Sequence, residues 1–310
     1  MISRRLLRIK VIKVLYGHIS GESTESAARK ELALSIDKTY EQYKYLFCFL
    51  PMLQEYAQNK IDKGMQKHLP SDDEKNPNTK FINSKLIGQI AQNETLLQFM
   101  SKNSRLIAEA KDVVSKMYAN MLEKDYFLEY MNSGENSFDE DRSLVSSILY
   151  EEFEDFDDLH TMLEEQNIYW TDEPEFVVSI ILKTVKSIRE NCPFELLPLY
   201  RNSDDSEFAL RLLNHSMANY SRYRELIDSH TPRWDVERIA FVDALILVTS
   251  MSEMMEFPLI PIKVTLDEYI DIAHFYSTPS SNVFVNGVLD KMLKYLETNN
   301  LLNKQGKGLQ

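Results

Sequence analysis

The sequence predicts an all-α fold, and three observations support this prediction. The 310-residue chain has only 8 Gly and 10 Pro, too few for the closely spaced turns of a β-rich protein. It is rich in Leu, Glu, Lys, Met and Ser, a composition that favours helices over strands. Apolar residues recur at helical spacing in most segments, and no segment requires a strand.

The bulk composition restricts the class of protein. An apolar content of 44% allows a buried core, and the length fits one large domain or two modest ones. The net charge of −13 excludes a general polyanion binder, although a local basic patch can still bind nucleic acid. Cys48 and Cys192 are expected to be reduced thiols in the core. No apolar run reaches the roughly 18 residues that span a bilayer, so we expect a soluble cytoplasmic protein.

The first helix is predicted over residues 3–16, "SRRLLRIKVIKVLY", where Leu7, Val11 and Val14 form one buried stripe. This is the most basic segment of an acidic chain, because its positive residues all precede the first acidic residue. Those residues are Arg4, Arg5, Arg8, Lys10 and Lys13. On a helical wheel Arg5, Lys13 and Tyr16 lie opposite the apolar stripe, whereas Arg8 and Lys10 flank it.

The central region is predicted as a series of helices. A turn and a short helix over 20–35 lead into a long aromatic-rich helix that is interrupted near Pro51. A loop over 69–80 and two or three helices over 81–131 follow. The stretch from Glu135 to Glu175 contains Arg142 as its only Lys or Arg and is interpreted as the solvated face of surface helices.

Residues 204–296 give the clearest helical pattern. "DVERIAFVDALILVTSMSEMM" is apolar almost all round and predicts a central buried helix. Thr265 is the expected N-cap of the next helix, with Glu268 completing a capping box. The last helix, "SSNVFVNGVLDKMLKYL", contains Gly287, which costs about 1 kcal/mol relative to Ala. Close packing of this helix on the first is the favoured explanation, with Asn286 satisfying a buried backbone group; close approach of RNA is the alternative.

The sequence lacks the common signatures of catalysis. HExxH, CxxC, GxGxxG and GxxxxGK[ST] are absent, and the six His residues show no metal-ligand spacing. We therefore expect no enzyme activity, no metal and no cofactor. The basic first helix remains as a candidate site. It is either an ordinary solvated face or a surface that neutralises phosphates while Tyr16 stacks on an unpaired base.

Several motifs resemble those of one known family, the NusB transcription antitermination factors. The resemblance covers roughly residues 1–20 and 204–296. The first helix resembles the arginine-rich opening helix of the family at Arg4, Arg5, Arg8, Leu15 and Tyr16. The segment with the predicted buried helix resembles the corresponding segment of the family at Trp234, Arg238, Ile239, Ala240, Val242, Asp243, Leu247 and Glu253. Further matches are Val264, Asp267, Glu268, Ile270, Ile272, Ala273 and the segment "FVNGVLD" at 284–290.

The resemblance implies an all-α, NusB-like helical bundle enlarged by additional helices. It also implies binding of boxA-type RNA together with the ribosomal protein NusE, and action on the RNA polymerase elongation complex. By the same resemblance Arg4, Arg5, Arg8 and Tyr16 contact RNA, and Phe284 lines the same surface. Lys10 and Lys13 join these candidates because of their charge on the same helix.

The chain also departs from the family pattern. Ala244 and Val248 stand where the family often has Arg, and Val283 and His274 where it often has Lys, which implies weaker RNA binding. A protein-interaction scaffold of the same fold is therefore the main alternative. An accessory module for RNA modification is a third. We expect a helical region over 1–199 with a basic helix at 1–18, a NusB-like domain over 200–298 and a flexible tail over 299–310.

Overall fold

The computed structural model describes residues 1–171, 174–231 and 240–309, and within these ranges the chain is all-helical without any strand. It divides into two compact units. Unit 1 combines residues 1–36 with 199–310, and unit 2 comprises residues 37–198. The prediction of an all-α fold is confirmed. Among the described residues, none of the helices combines the length and apolar content that crossing a membrane requires.

Unit 1 is a bundle of long helices. Its members are α1 (Arg4–Ser20), the beginning of α2 (Glu25–Met65), α12 (Ser203–His230), α13 (Phe241–Glu256), α14 (Ile262–Tyr276) and α15 (Ser281–Thr298). α1 begins at the expected place because the Ser3 hydroxyl accepts a hydrogen bond from the Leu6 amide at 3.2 Å. Its predicted stripe is confirmed, since Leu7, Val11 and Val14 are all buried.

Unit 2 is built from the rest of α2 and from mostly shorter helices. These are α3 (Asp72–Lys75), α4 (Lys85–Ala91), α5 (Glu94–Lys102), α6 (Ser104–Glu109), α7 (Lys111–Met121), α8 (Asp125–Asn132), α9 (Phe138–Glu151), α10 (Asp157–Gln166) and α11 (Pro174–Ser187). The predicted loop over 69–80 contains α3, whose N-terminus is stabilised by a capping box between Ser71 and Glu74. The range 81–131 contains α4 to α8, which is five helices instead of the predicted two or three; Ser84 and Asn93 cap the starts of α4 and α5.

The division into units differs from the expected one. We had grouped residues 1–199 into one region, whereas the structure joins residues 1–36 to the carboxy-terminal helices. The physical reason is that α1 packs against α12 and α13, where its apolar stripe is buried. A second difference is the segment 299–310, which we had expected to be flexible.

Part of the segment after α15 contacts the residues between α13 and α14. The Lys304 ammonium donates to the carbonyls of Phe257 and Ile260 at 3.0 and 2.9 Å, and the Gln305 amide donates to Pro258 at 3.0 Å. Two glycines permit this approach. Gly306 has φ +52°, and a Cβ on Gly308 would collide with the Pro258 carbonyl. These contacts join residues 304–308 to the segment between α13 and α14.

Helix α2 runs through Pro51 instead of breaking there. Proline removes one backbone hydrogen bond, normally at a cost of about 3 kcal/mol. The residues around it are fully buried, among them Phe47, Phe49 and Leu53, so packing of this segment offsets that cost.

The core of unit 2 is aromatic. Trp170 stacks on Tyr45 with ring centroids 5.2 Å apart, and its indole NH donates to the Lys38 carbonyl at 2.9 Å. Cys48 lies in this core as expected, and burial raises the pKa of its thiol to about 12. Cys192 is exposed, so the prediction that both thiols are buried is wrong for this residue. Cys192 lies in the irregular segment that follows α11, directly before Pro193, and not in a helix.

Candidate nucleic-acid interface

The arginines of α1 are held by carboxylates from other helices of unit 1. The most buried pair joins Arg8 to Glu253 of α13. Arg8 Nε and Nη2 donate to the two carboxylate oxygens at 2.7 and 2.8 Å, and both side chains are almost completely buried. Burial opposes the charge of Arg8, but the hydrogen bonds and charge of Glu253 outweigh it, so the pKa of Arg8 is raised. This bidentate geometry fixes α1 on α13.

Glu253 is also the acceptor for two hydroxyl groups of α14. Thr265 Oγ1 donates to Oε1 at 2.9 Å, and Tyr269 Oη donates to Oε2 at 3.2 Å. Burial, followed by the charge of Glu253, raises the pKa of Tyr269 well above its usual range. The predicted capping role of Thr265 is therefore wrong. α14 begins at Ile262, directly after Pro261, which puts Thr265 inside the helix.

Arg5 and Arg4 form more exposed pairs. Arg5 Nε donates to Glu268 at 2.9 Å and Arg5 Nη2 donates to Asp271 at 2.6 Å. The hydrogen bond to Glu268 raises the pKa of Arg5 despite partial burial. Arg4 Nε donates to Asp205 of α12 at 2.7 Å. We call Arg4, Arg5, Arg8 and these four carboxylates the arginine cluster. Its positive charge is matched within the fold, although the sequence of α1 contains no acid.

The two lysines of α1 differ from each other in exposure. Lys10 is buried, so the predicted RNA contact through this residue is not available in this conformation. Lys13 is half-buried, with its ammonium 5.4 Å from the centre of the Tyr276 ring. Arg8 is as buried as Lys10. Of the predicted basic contacts, Arg4, Arg5 and Lys13 are therefore the ones with exposed area.

The carboxy-terminal part of α1 meets a group of aromatic residues. Tyr16 is 46% exposed and packs edge-on against Phe241, with ring centroids 5.2 Å apart. Ser281 at the start of α15 donates to Asp243 at 2.9 Å, which joins the first turn of α15 to the first turn of α13, the turn that also contains Phe241. Phe284 lies one turn further along α15 and is half-buried.

Aromatic residues at the end of α14 complete this surface. Tyr276 faces Lys13, and its neighbour Phe275 is 71% exposed. We call Tyr16, Phe241, Phe275, Tyr276 and Phe284 the aromatic end of unit 1. Three of these residues, Phe241, Phe275 and Tyr276, were not predicted as site residues from the sequence. The signal for the last two was an aromatic pair directly before the helix-ending "STP".

Gly287 and Asn286 do not have the roles that we favoured. Both residues are exposed on α15, and among the described residues a Cβ on Gly287 would have no neighbour within 4 Å. Close packing of α15 on α1 at this point is therefore excluded, and Asn286 does not serve a buried backbone group. Asn286 and Gly287 instead lie on an exposed face of α15, directly after the buried Val285.

The departures from the family pattern fall into two groups. Ala244 and Val248 are buried in α13, so their lack of charge takes nothing from the surface of this chain. Val283 and His274 are exposed, and a positive charge at either position would face solvent. Trp234, Arg238 and Ile239 of the matched motif lie outside the described residues.

Fold and surface together define an all-helical protein whose arginine-rich first helix is fixed to its carboxy-terminal helices beside an exposed aromatic surface. The model of the NusB family matches residues 176–294. The chain is similar to the transcription antitermination protein NusB of Salinibacter ruber, with 38% identity over 113 residues, 36% of this chain and 71% of the relative. The chain belongs to the NusB family.

Two further relatives are also described as transcription antitermination protein NusB. The one from Chloroherpeton thalassium is 32% identical over 103 residues, 33% of this chain and 49% of its own length. The one from Thermodesulfovibrio yellowstonii is 34% identical over 94 residues, 30% of this chain and 62% of its own length. No solved structure matches.

Proposed function

We propose that this chain is a non-enzymatic, cytoplasmic transcription antitermination factor that binds boxA-type RNA together with the ribosomal protein NusE and acts on the RNA polymerase elongation complex. Membership of the NusB family and the names of its relatives support the antitermination role. The single observation that supports RNA binding is the exposed ring of Tyr16, one helical turn after Lys13 on α1. Phe284 is added to this surface by its resemblance to the family.

The chemistry of this surface suits single-stranded RNA. Exposed aromatic rings stack on unpaired bases with about 1–3 kcal/mol per base, whatever the base. Lys13 and Arg5 supply positive charge on the same helix, where each phosphate contact adds affinity that salt weakens. We propose that the bases stack at the aromatic end while the RNA backbone follows α1.

The test is the affinity of the purified full chain for a short boxA-type RNA, measured by fluorescence anisotropy across a salt series with and without NusE. We expect binding that tightens with NusE and weakens with salt. Lys13→Ala should weaken binding and reduce the slope of log K against log salt by about 0.7. The matched control is Lys186→Ala, which removes an exposed lysine from α11 in unit 2 and should change neither quantity.

A protein-interaction scaffold of the same fold is the second candidate. The pairing of every α1 arginine with a carboxylate favours it, because this leaves little free positive charge for phosphates. Binding to NusE without detectable RNA binding at low salt would support the scaffold and overturn our proposal. Equal effects of the two lysine variants would contradict the RNA path along α1.

A further inference from the structure

We infer that Asp271 limits the access of RNA to Arg5, because its carboxylate occupies the position at the guanidinium that an RNA phosphate takes on binding. This inference rests on the proposed function and adds a residue that sets affinity from within the RNA-binding surface. Asp271 belongs to α14 and is separated from Arg5 by 266 residues in sequence.

The charge balance around Arg5 supports this role. On the accessible side of the cluster one cation, Arg5, is bonded to two carboxylates, those of Glu268 and Asp271, whereas Arg8 and Glu253 are buried behind them. An approaching phosphate therefore meets a negative rather than a positive group of side chains. A phosphate can bind to Arg5 only if it displaces one of these carboxylates from the guanidinium.

The two partners of Arg5 are not equally able to leave. Glu268 is 25% exposed and also lies 3.5 Å from Arg8 Nη1, so the buried arginine retains it. The Asp271 side chain is 52% exposed, and Arg5 is its partner among the described residues. Water can solvate this carboxylate as soon as it swings away, which keeps the cost of its release low.

The geometry of the guanidinium allows the exchange. Arg5 Nε stays on Glu268, which holds the side chain in place, while Nη2 changes its acceptor from Asp271 Oδ2 to a phosphate oxygen. Both acceptors are anionic oxygens and form charge-assisted hydrogen bonds of similar length. Asp271 thus imitates a phosphate in the RNA-free protein.

The experiment compares Asp271→Asn with Asp267→Asn in the full chain. Asp267 is exposed on the same helix and, within the described part of the chain, does not pair with Arg5, so its substitution removes the same charge without releasing the arginine. We expect Asp271→Asn to tighten binding of a boxA-type RNA about two- to five-fold beyond the control. The salt slope should steepen by about 0.7, as for one added phosphate contact.

An Arg5→Gln background completes the test. In this background Asp271→Asn should tighten binding no more than Asp267→Asn, because no arginine remains to be released. Equal effects of the two variants on the wild-type background, or an effect that persists without Arg5, would overturn the inference. If the wild-type chain binds RNA and Asp271→Asn leaves affinity unchanged, the inference alone fails. If neither chain binds, the proposed function fails with it.

Discussion

The arginine cluster and the aromatic end share helix α1 but differ in how their functional groups are partnered. The arginines reach carboxylates of α12, α13 and α14, and Arg8 is completely enclosed. At the aromatic end Tyr16 and Phe275 keep much of their surface in solvent. The number of charged residues on a helix is thus a poor measure of its ability to bind a ligand, because those charges can be paired within the fold. The exposed surfaces of Tyr16 and Phe275 can contact a ligand without such a rearrangement.

The arginine cluster and the aromatic end have different roles. A buried, bidentate ion pair contributes positional specificity more than net stability, because desolvation cancels much of the attraction. Arg8 and Glu253 therefore act as a fixed anchor for α1. The exposed parts of the Tyr16 and Phe275 rings contribute little to the core and lie where a ligand can reach them.

The largest expected effect tests the anchor. Glu253→Gln keeps the shape of the side chain but removes the bidentate partner of the buried Arg8 cation and leaves the more distant Glu268 carboxylate, 3.5 Å away, as its described counter-charge. We expect the free energy of unfolding to fall by about 3–5 kcal/mol in chemical denaturation followed by circular dichroism. The control is Glu256→Gln, also on α13, which alters a more exposed ion pair with Arg211 of α12. This substitution should lower the free energy of unfolding by at most about 1 kcal/mol. Similar losses in both variants would remove the distinction between buried and exposed pairs.

A smaller effect is expected at the aromatic end. Tyr16→Ala should reduce RNA affinity by about 1–3 kcal/mol, roughly 5- to 150-fold, because one stacking platform is lost. Anisotropy titration gives the affinity, and denaturation should show a loss of no more than about 1.5 kcal/mol from the contact with Phe241. Tyr150→Ala is the control, since it removes an equally exposed ring from unit 2. If Tyr150→Ala weakens binding as much, stacking at Tyr16 is not the cause.

The smallest effect concerns the helix face beside Phe284. Gly287→Ala should raise the free energy of unfolding by up to about 1 kcal/mol, because alanine favours the helix and its Cβ meets open space. Gly17→Ala in α1 offers a matched case, since that glycine is also helical and has no neighbour near its Cβ position. A stability loss confined to Gly287→Ala would mean that a neighbouring backbone needs the glycine after all.

The sequence predicted those features that depend on local periodicity. The buried stripe of α1 at Leu7 and Val11 follows from 3.6-residue spacing, as does the exposure of Arg5 and Tyr16. The nearly all-round burial of α13 followed from its apolar content. The family motifs identified the correct family over the carboxy-terminal helices.

Tertiary pairing was beyond the reach of local reasoning. Glu253 is 245 residues away from Arg8, and Asp271 is 266 residues away from Arg5. The sequence around α1 therefore gives no indication of these pairs. The same limit explains Phe241, which we assigned to a buried helix although its position at the first turn leaves it partly exposed. Helix starts were missed where a proline, such as Pro261, set the boundary ahead of a plausible cap.

The two cysteines of the chain have an experimental consequence. Cys48 is fully buried and its thiol has a pKa of about 12, so at neutral pH it stays protonated and unreactive towards alkylating reagents. Cys192 is exposed on the surface of unit 2 and belongs to neither the arginine cluster nor the aromatic end. A maleimide dye should therefore attach at one position of the folded, unmutated chain, which gives every binding titration above a built-in point for a fluorescent label.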